Sequence, residues 1–234
     1  MKHALVVLSG GQDSVTCLGL ALKKADKVSA ISFNYGQRHA VELDSAALLC
    51  AKYGVEHKVV AFDFLKDLVT SALTTEGADV NKPHPHKKNL PASFVPCRNA
   101  IFLTLAHGYA QEIDADTLVT GVCETDYSGY PDCREMFIGS LETTLNIGYE
   151  ANIRIWTPLM KVDKAQTFFL AQVSGFLDEV LENSHTCYEG DHTTRNTWGF
   201  GCGECPACIL RRTGYELFFS GEYNRDHALI LAEV

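Results

Sequence analysis

Residues 3 to 14 constrain this chain more than any other segment. An apolar run (Leu5, Val6, Val7, Leu8) stops at Ser9-Gly10-Gly11, and a helical pattern starts near Asp13 with Val15, Leu18, Leu22 and Ala25 on one face. A strand that feeds a glycine turn onto a helix gathers backbone N–H groups and the positive helix end at one point. That arrangement makes an anion site. Gly10 and Gly11 let the backbone close around the anion without Cβ clashes. Ser9 and Ser14 add hydroxyl donors, and Asp13 either holds a magnesium ion or caps the helix. An ordinary strand-to-helix turn capped by Asp13 stays open as the plain alternative. The spacing matches neither the Walker loop nor the dinucleotide fingerprint Gly-x-Gly-x-x-Gly.

Beyond this turn the pattern alternates. Strands are expected at 27–34, 55–62, 116–122 and 153–156, and helices at 38–53, 64–71, 98–113, 133–148 and 163–175. The helix from Arg98 is nearly all apolar and so is expected to be buried. Such alternation predicts an α/β fold, a parallel sheet with helices on both faces, whose ligands bind beyond the carboxyl ends of the strands. The least regular stretch, about 74–97, carries four prolines with His84, His86, Lys87 and Lys88 and reads as a lid or dimer contact. The expected organisation is a nucleotide-binding domain over 1–180 and a small metal-binding helical segment over 181–234 packed on it.

Charge narrows the function classes. A formal net charge of −9 argues against a general nucleic-acid binder. The first apolar run spans only about five residues, too short for a secretory signal, and no stretch approaches the roughly 20 apolar residues of a membrane span. Nine cysteines in such a chain point to a reduced, cytoplasmic setting, where cysteine clusters are more often metal sites than disulfides.

Those cysteines are unevenly placed. Cys202-Gly203-Glu204-Cys205-Pro206-Ala207-Cys208 reads as a knuckle turn leading into a helix that Pro206 opens. Three cysteines at this spacing cannot share one helix face, so the turn must help close the site. With Cys187 as fourth ligand the set is a Cys₄ tetrahedron of the structural zinc kind. An iron–sulfur site remains the rival, and His185 and His192 are possible substitutes for Cys187. Cys17, Cys50, Cys97, Cys123 and Cys133 are scattered, and most read as small core residues.

The hexad Ser9-Gly10-Gly11-Gln12-Asp13-Ser14 resembles the PP-loop of the N-type ATP pyrophosphatases. Further segments resemble the 7-cyano-7-deazaguanine synthase family: Phe33 to His39, Phe94 to Asn99, Gly121 to Arg134, Thr157 to Lys161, Cys187-Tyr188 and the triple-cysteine run. The likeness runs from residue 3 to about 215. Two departures stand out. Cys97 occupies a position where a small residue, usually glycine, is expected, and the Cys187–Cys202 loop is longer than in the shortest relatives.

The resemblance implies an adenine-nucleotide α-hydrolase-like fold and an ATP-dependent ligase in queuosine biosynthesis. The ligase joins ammonia to 7-carboxy-7-deazaguanine and forms the nitrile through adenylated intermediates. It implies ATP contacts from Leu8, Ser9, Gly10, Gly11, Gln12, Asp13, Ser14, Val15 and Tyr35. Catalytic roles fall to Asp13, Arg98, Lys161 and Lys164, assisted by Mg²⁺. Asp126, Tyr130, Asp132 and Arg134 are candidates for the deazaguanine acid, and Cys187, Cys202, Cys205 and Cys208 for a structural Zn²⁺. A homodimer without direct nucleic-acid contact is expected. The residues alone give a reason for the chemistry: a carboxylate is a poor electrophile, and adenylation replaces its oxide leaving group with AMP. Another PP-loop amidating or tRNA-thiolating enzyme, or a zinc-stabilised binding module without catalysis, are the alternatives.

Overall fold

The computed structural model describes residues 1–37, 41–75, 78–80, 82–125 and 129–228. In chain order its elements are β1 (His3–Val7), α1 (Gln12–Lys24), β2 (Lys27–Asn34), α2 (Val41–Tyr53), β3 (Glu56–Ala61), α3 (Leu65–Leu68), β4 (Pro83–His84), β5 (Lys87–Pro91), α4 (Arg98–Glu112) and β6 (Thr117–Val119). A 3₁₀ turn (Pro131–Cys133) follows, then α5 (Glu135–Tyr149), β7 (Arg154–Trp156), α6 (Lys164–Ser174), α7 (Leu177–Asn183), β8 (Arg195–Asn196), β9 (Gly199–Phe200) and α8 (Pro206–Ser220).

Five strands form one parallel sheet in the order β3-β2-β1-β6-β7. The order reverses between β1 and β6, and that switch point opens a crevice at the carboxyl ends of both strands. Side chains alternate across β1: Ala4, Val6 and, just after the strand, Leu8 face a core built with α1, α2, α6, α7 and α8, while Leu5 faces one built with α4 and α5. This two-sided burial explains the continuous apolar run of the first strand. It also confirms the expected α/β class.

Several details differ from the sequence reading. The stretch 74–97 is not wholly irregular. It contains the antiparallel pair β4–β5, and it closes on Ala72, Val80 and Ala92 as a small core of its own. The helix from Arg98 is only half-buried: Leu103, Ala106, His107 and Ala110 are enclosed, but Leu105 is 43% exposed. Its apolar outer face does not meet the sheet. Residues 38–40, at the start of the helix expected over 38–53, lie outside the described residues. Cys97 is exposed and adopts φ 63° just before α4. That left-handed conformation explains why glycine would suit the position; for cysteine it costs on the order of 1 kcal/mol. Among the described residues, no helix is long and apolar enough to cross a membrane.

Candidate active site

The Ser9–Ser14 turn leaves β1 at the switch point. Ser14 Oγ accepts from the backbone N–H of Ser9 (3.2 Å) and Gly10 (3.1 Å) and donates to the Gly11 carbonyl (3.0 Å). Gly11 is the N-cap of α1 and no side chain caps it, so the capping role open to Asp13 is not realised. Gly10 has φ 93°, and a Cβ there would lie 1.9 Å from the Glu42 carbonyl oxygen. The glycine is therefore needed for contact with α2 as well as for the shape of the turn. The far end of the chain completes the loop: His185 N donates to the Gly10 carbonyl (2.9 Å), and Gln12 N donates to Thr186 Oγ1 (3.3 Å).

A cavity of about 320 Å³ lies against this loop. Its wall includes first-turn residues of α1 (Asp13, Ser14), α2 (Glu42), α4 (Arg98, Asn99), α6 (Lys164) and α8 (Ala207). First-turn residues of five helices thus line one space. α6 is closed by its own Asp163–Gln166 capping box, while α1 has no side-chain cap and leaves its first-turn N–H groups open to an anion. Two of the five helices also carry cations. Lys164 opens α6 and is nearly buried, its Nζ 2.7 and 2.6 Å from the two carboxylate oxygens of Asp13. α8 crosses close by, because a Cβ on Gly214 would sit 2.4 Å from Lys164 Cβ. Arg98 opens α4. Burial opposes its charge, but Tyr35, Tyr130 and Asp132 around it raise its pKa.

Burial pushes the Glu42 carboxyl up to about 7, against the opposing pull of Arg98. Burial also raises the Tyr35 phenol. Tyr130 hydrogen-bonds Ser93 Oγ at 2.6 Å and lies beside Tyr188, whose phenol is raised by burial and by Tyr130. The side-chain amide atoms of Gln12 and Nε2 of His185 are buried at the cavity wall without a hydrogen-bond partner. Burial lowers the His185 imidazole pKa.

The thiol cluster stands behind this wall. The sulfurs of Cys187, Cys202, Cys205 and Cys208 lie within 4.8 Å of one another, with Cys202 Sγ 3.9 Å from Cys208 Sγ. Four Zn–S bonds of ~2.3 Å span a tetrahedron with edges of about 3.8 Å, so the set fits such an ion. Cys202 Sγ accepts from the backbone N–H of Glu204 (3.5 Å) and Cys205 (3.4 Å), the expected knuckle, and Pro206 opens α8. Among the described residues His185 and His192 are outside the cluster, which removes them as substitutes for Cys187. Their rings meet edge to face at 6.4 Å instead. The extra loop from Asp191 to Phe200 forms the β8–β9 hairpin after an Asp191-capped turn.

Residues 3–219 match the family model described as queuosine biosynthesis protein QueC. A 7-cyano-7-deazaguanine synthase of Wolinella succinogenes is 54% identical over 215 residues, covering 92% of each chain. This chain belongs to the QueC family. A second relative, the 7-cyano-7-deazaguanine synthase of Helicobacter pylori strain P12, is 46% identical over 92% of this chain and 94% of that one. Among solved structures, a 4-thiouridine synthetase–RNA complex with bound ATP aligns with 99% of this chain and 52% of that one, at 16% identity and TM-score 0.48. That likeness is too remote to bear on function.

In this QueC-family chain, the expected residues divide by distance from the cavity. Leu8, Ser9, Gly11, Gln12, Asp13, Ser14, Tyr35, Arg98, Tyr130 and Lys164 line it. Gly10 and Val15 support the loop, Val15 N donating to the Gly11 carbonyl at 3.0 Å. Asp132 is buried behind the wall and accepts from Asn99 N at 3.2 Å. Its pKa is raised by burial, with Arg98 opposing. Arg134 is exposed, and Lys161 pairs with Glu135 at 2.8 Å on the surface; neither lines the cavity. Asp126 lies outside the described residues.

Glu42, Thr186 and Arg211 escaped the sequence reading, and Tyr188 entered it only within the Cys187-Tyr188 segment, without a role. Arg211 is wholly buried, donating through Nε to the Trp198 carbonyl (2.9 Å) and through a terminal nitrogen to Thr186 Oγ1 (3.0 Å). Burial lowers its pKa to about 10, while Cys208 and Asp13 oppose that shift. The only sequence signal for Thr186 is that it precedes a metal-type cysteine. For Glu42 the signal is its place on the helix after the second strand.

Proposed function

We propose that this QueC-family chain is an ATP-dependent ligase that converts 7-carboxy-7-deazaguanine and ammonia to 7-cyano-7-deazaguanine, as the names of its relatives suggest. The observation that carries the reading is the meeting of the uncapped start of α1, Arg98 and Lys164 on one cavity beside the Ser9–Ser14 loop. Such a site favours a bound triphosphate and the charge that grows at its α-phosphate during attack. The loop amides and serines hold the β,γ-pyrophosphate. Leu8 and Tyr35 border the rest of the nucleotide, while Val15 supports the loop from the core.

Substrate carboxylate displaces pyrophosphate, giving an acyl-adenylate. Ammonia then displaces AMP and leaves an amide. A second adenylation, on the amide oxygen, allows loss of AMP as the nitrile forms. Arg98 and Lys164 stabilise the phosphorus centre, and Asp13 keeps Lys164 oriented. Lys161 serves only after leaving Glu135. Tyr130 borders the acid, with Asp126 and Arg134 on the same segment and Asp132 steadying the N-terminus of α4.

Mg²⁺ would offset the charge of bound ATP, and Asp13 would hold it only once Lys164 has turned from its carboxylate to the phosphates. Zn²⁺ on the four cysteines is structural and fixes the start of α8 where Ala207 meets the cavity. The chain works as a cytoplasmic homodimer without direct nucleic-acid contact, its nucleotide domain spanning 1–180 and its zinc segment 181–234. The testing experiment is mass spectrometry of products from Mg-ATP, ammonium and 7-carboxy-7-deazaguanine. Nitrile with AMP and pyrophosphate is expected; a folded, zinc-loaded protein that turns over no nucleotide would sink the reading.

A further inference from the structure

Adding nitrogen to an acyl group and dehydrating the amide releases N–H protons that some group must accept. Among the described residues, two carboxylates line the cavity, Asp13 and Glu42. Both oxygens of Asp13 are engaged by Lys164. Glu42 is held differently. Its backbone is pressed against Gly10, where no Cβ fits, so the first turn of α2 cannot shift without moving the loop. Its side chain reaches the same cavity as the Ser9–Ser14 loop and Arg98. The charged and titratable groups that face it are Arg98 of α4, Tyr35 after β2 and Tyr188 beside the thiol cluster.

We propose that Glu42 is the base that takes the N–H protons released as nitrogen is inserted and dehydrated in this cavity. This rests on the reaction proposed above. In the first step the ammonia lone pair forms the C–N bond, the C–O bond to AMP breaks with its electron pair, and one N–H proton passes to the Glu42 carboxylate. In the second, the amide oxygen displaces pyrophosphate from ATP. The nitrogen then gives up its two remaining protons as C≡N forms and AMP departs. Glu42 is half-buried and returns each proton to solvent between transfers. A carboxyl pushed up to about 7 is matched to accepting a proton near neutral pH.

The test compares wild type with Glu42→Gln from about pH 5.5 to about pH 9 at constant free ammonia. Amide and nitrile are quantified separately, and ATP–pyrophosphate exchange with the substrate acid reports adenylation. Wild type should show an acidic limb near neutrality. Glu42→Gln should lose that limb and at least ~100-fold in kcat for nitrogen insertion, with exchange preserved. The proposal is overturned if the variant keeps the limb, if only KM for the acid rises, or if exchange falls together with nitrile formation. An inactive wild type would instead remove the parent reading, so the two failures are distinguishable. Thermal unfolding of the variant establishes that it is folded.

Discussion

At the wall of the nucleotide-loop cavity, buried polar atoms stand without protein partners: both amide atoms of Gln12 and Nε2 of His185. At the thiol cluster each sulfur faces other sulfurs and backbone N–H groups. The first arrangement has a stability cost, because a buried polar atom without a partner costs on the order of 1–3 kcal/mol. The second suits a permanent occupant: with four thiol ligands no coordination position stays open for chemistry. A cavity suited to transient ligands and a cluster suited to a resident ion therefore differ in what they leave unsatisfied, even when helix α8 touches both.

The largest effect should come from emptying the closed site. Treatment with a strong chelator, or Cys205→Ser, should unfold residues 185–220 and lower thermal stability drastically, since structural zinc contributes about 10 kcal/mol or more. Hydrogen exchange and a melting curve would check it. A chelated protein that stays folded with full ATP affinity would erase the contrast.

Next in size is the open site. Lys164→Met should lower kcat by ~100-fold or more, the usual cost of one lost charge-stabilising donor, with a smaller loss of stability. Steady-state kinetics beside urea unfolding would separate these. A protein destabilised severely but catalytically intact would make Lys164 a packing residue.

The smallest effect has an unusual sign. Glu42 has a carboxyl pKa raised by folding, so its stabilising protonated form is fully populated below about pH 4.5 and lost as pH rises through about 7. Wild type should therefore lose stability across that window. Glu42→Gln should be more stable at pH 8, on the order of 2 kcal/mol, and equal to wild type near pH 4. Parallel stability curves for the two proteins would show that the pocket imposes no such cost.

What could be read without coordinates was local. Strand, turn and helix fall within residues 3–24, and three cysteines within seven residues, so short-range spacing carries both signals. Glu42 and Arg211 reach the site through long-range packing that no spacing encodes. One depends on the missing Cβ at Gly10, the other on the Thr186 hydroxyl shared with Gln12. Arg134 and Lys161 show the converse limit. Their chain neighbours turn inward, Cys133 to the cavity and Met160 to the core, while they point outward. Neighbourhood in sequence does not fix the direction of a side chain at the edge of a helix.

The dependence of the Gly10–Gln12 turn on His185, Thr186 and Arg211 has a consequence for synthesis. A ribosome makes this turn early, yet its closing contacts come from chain about 175 to 200 residues later. The loop is thus finished only long after it has been translated. Nucleotide binding by stalled nascent chains should switch on only after residue 211 has cleared the exit tunnel.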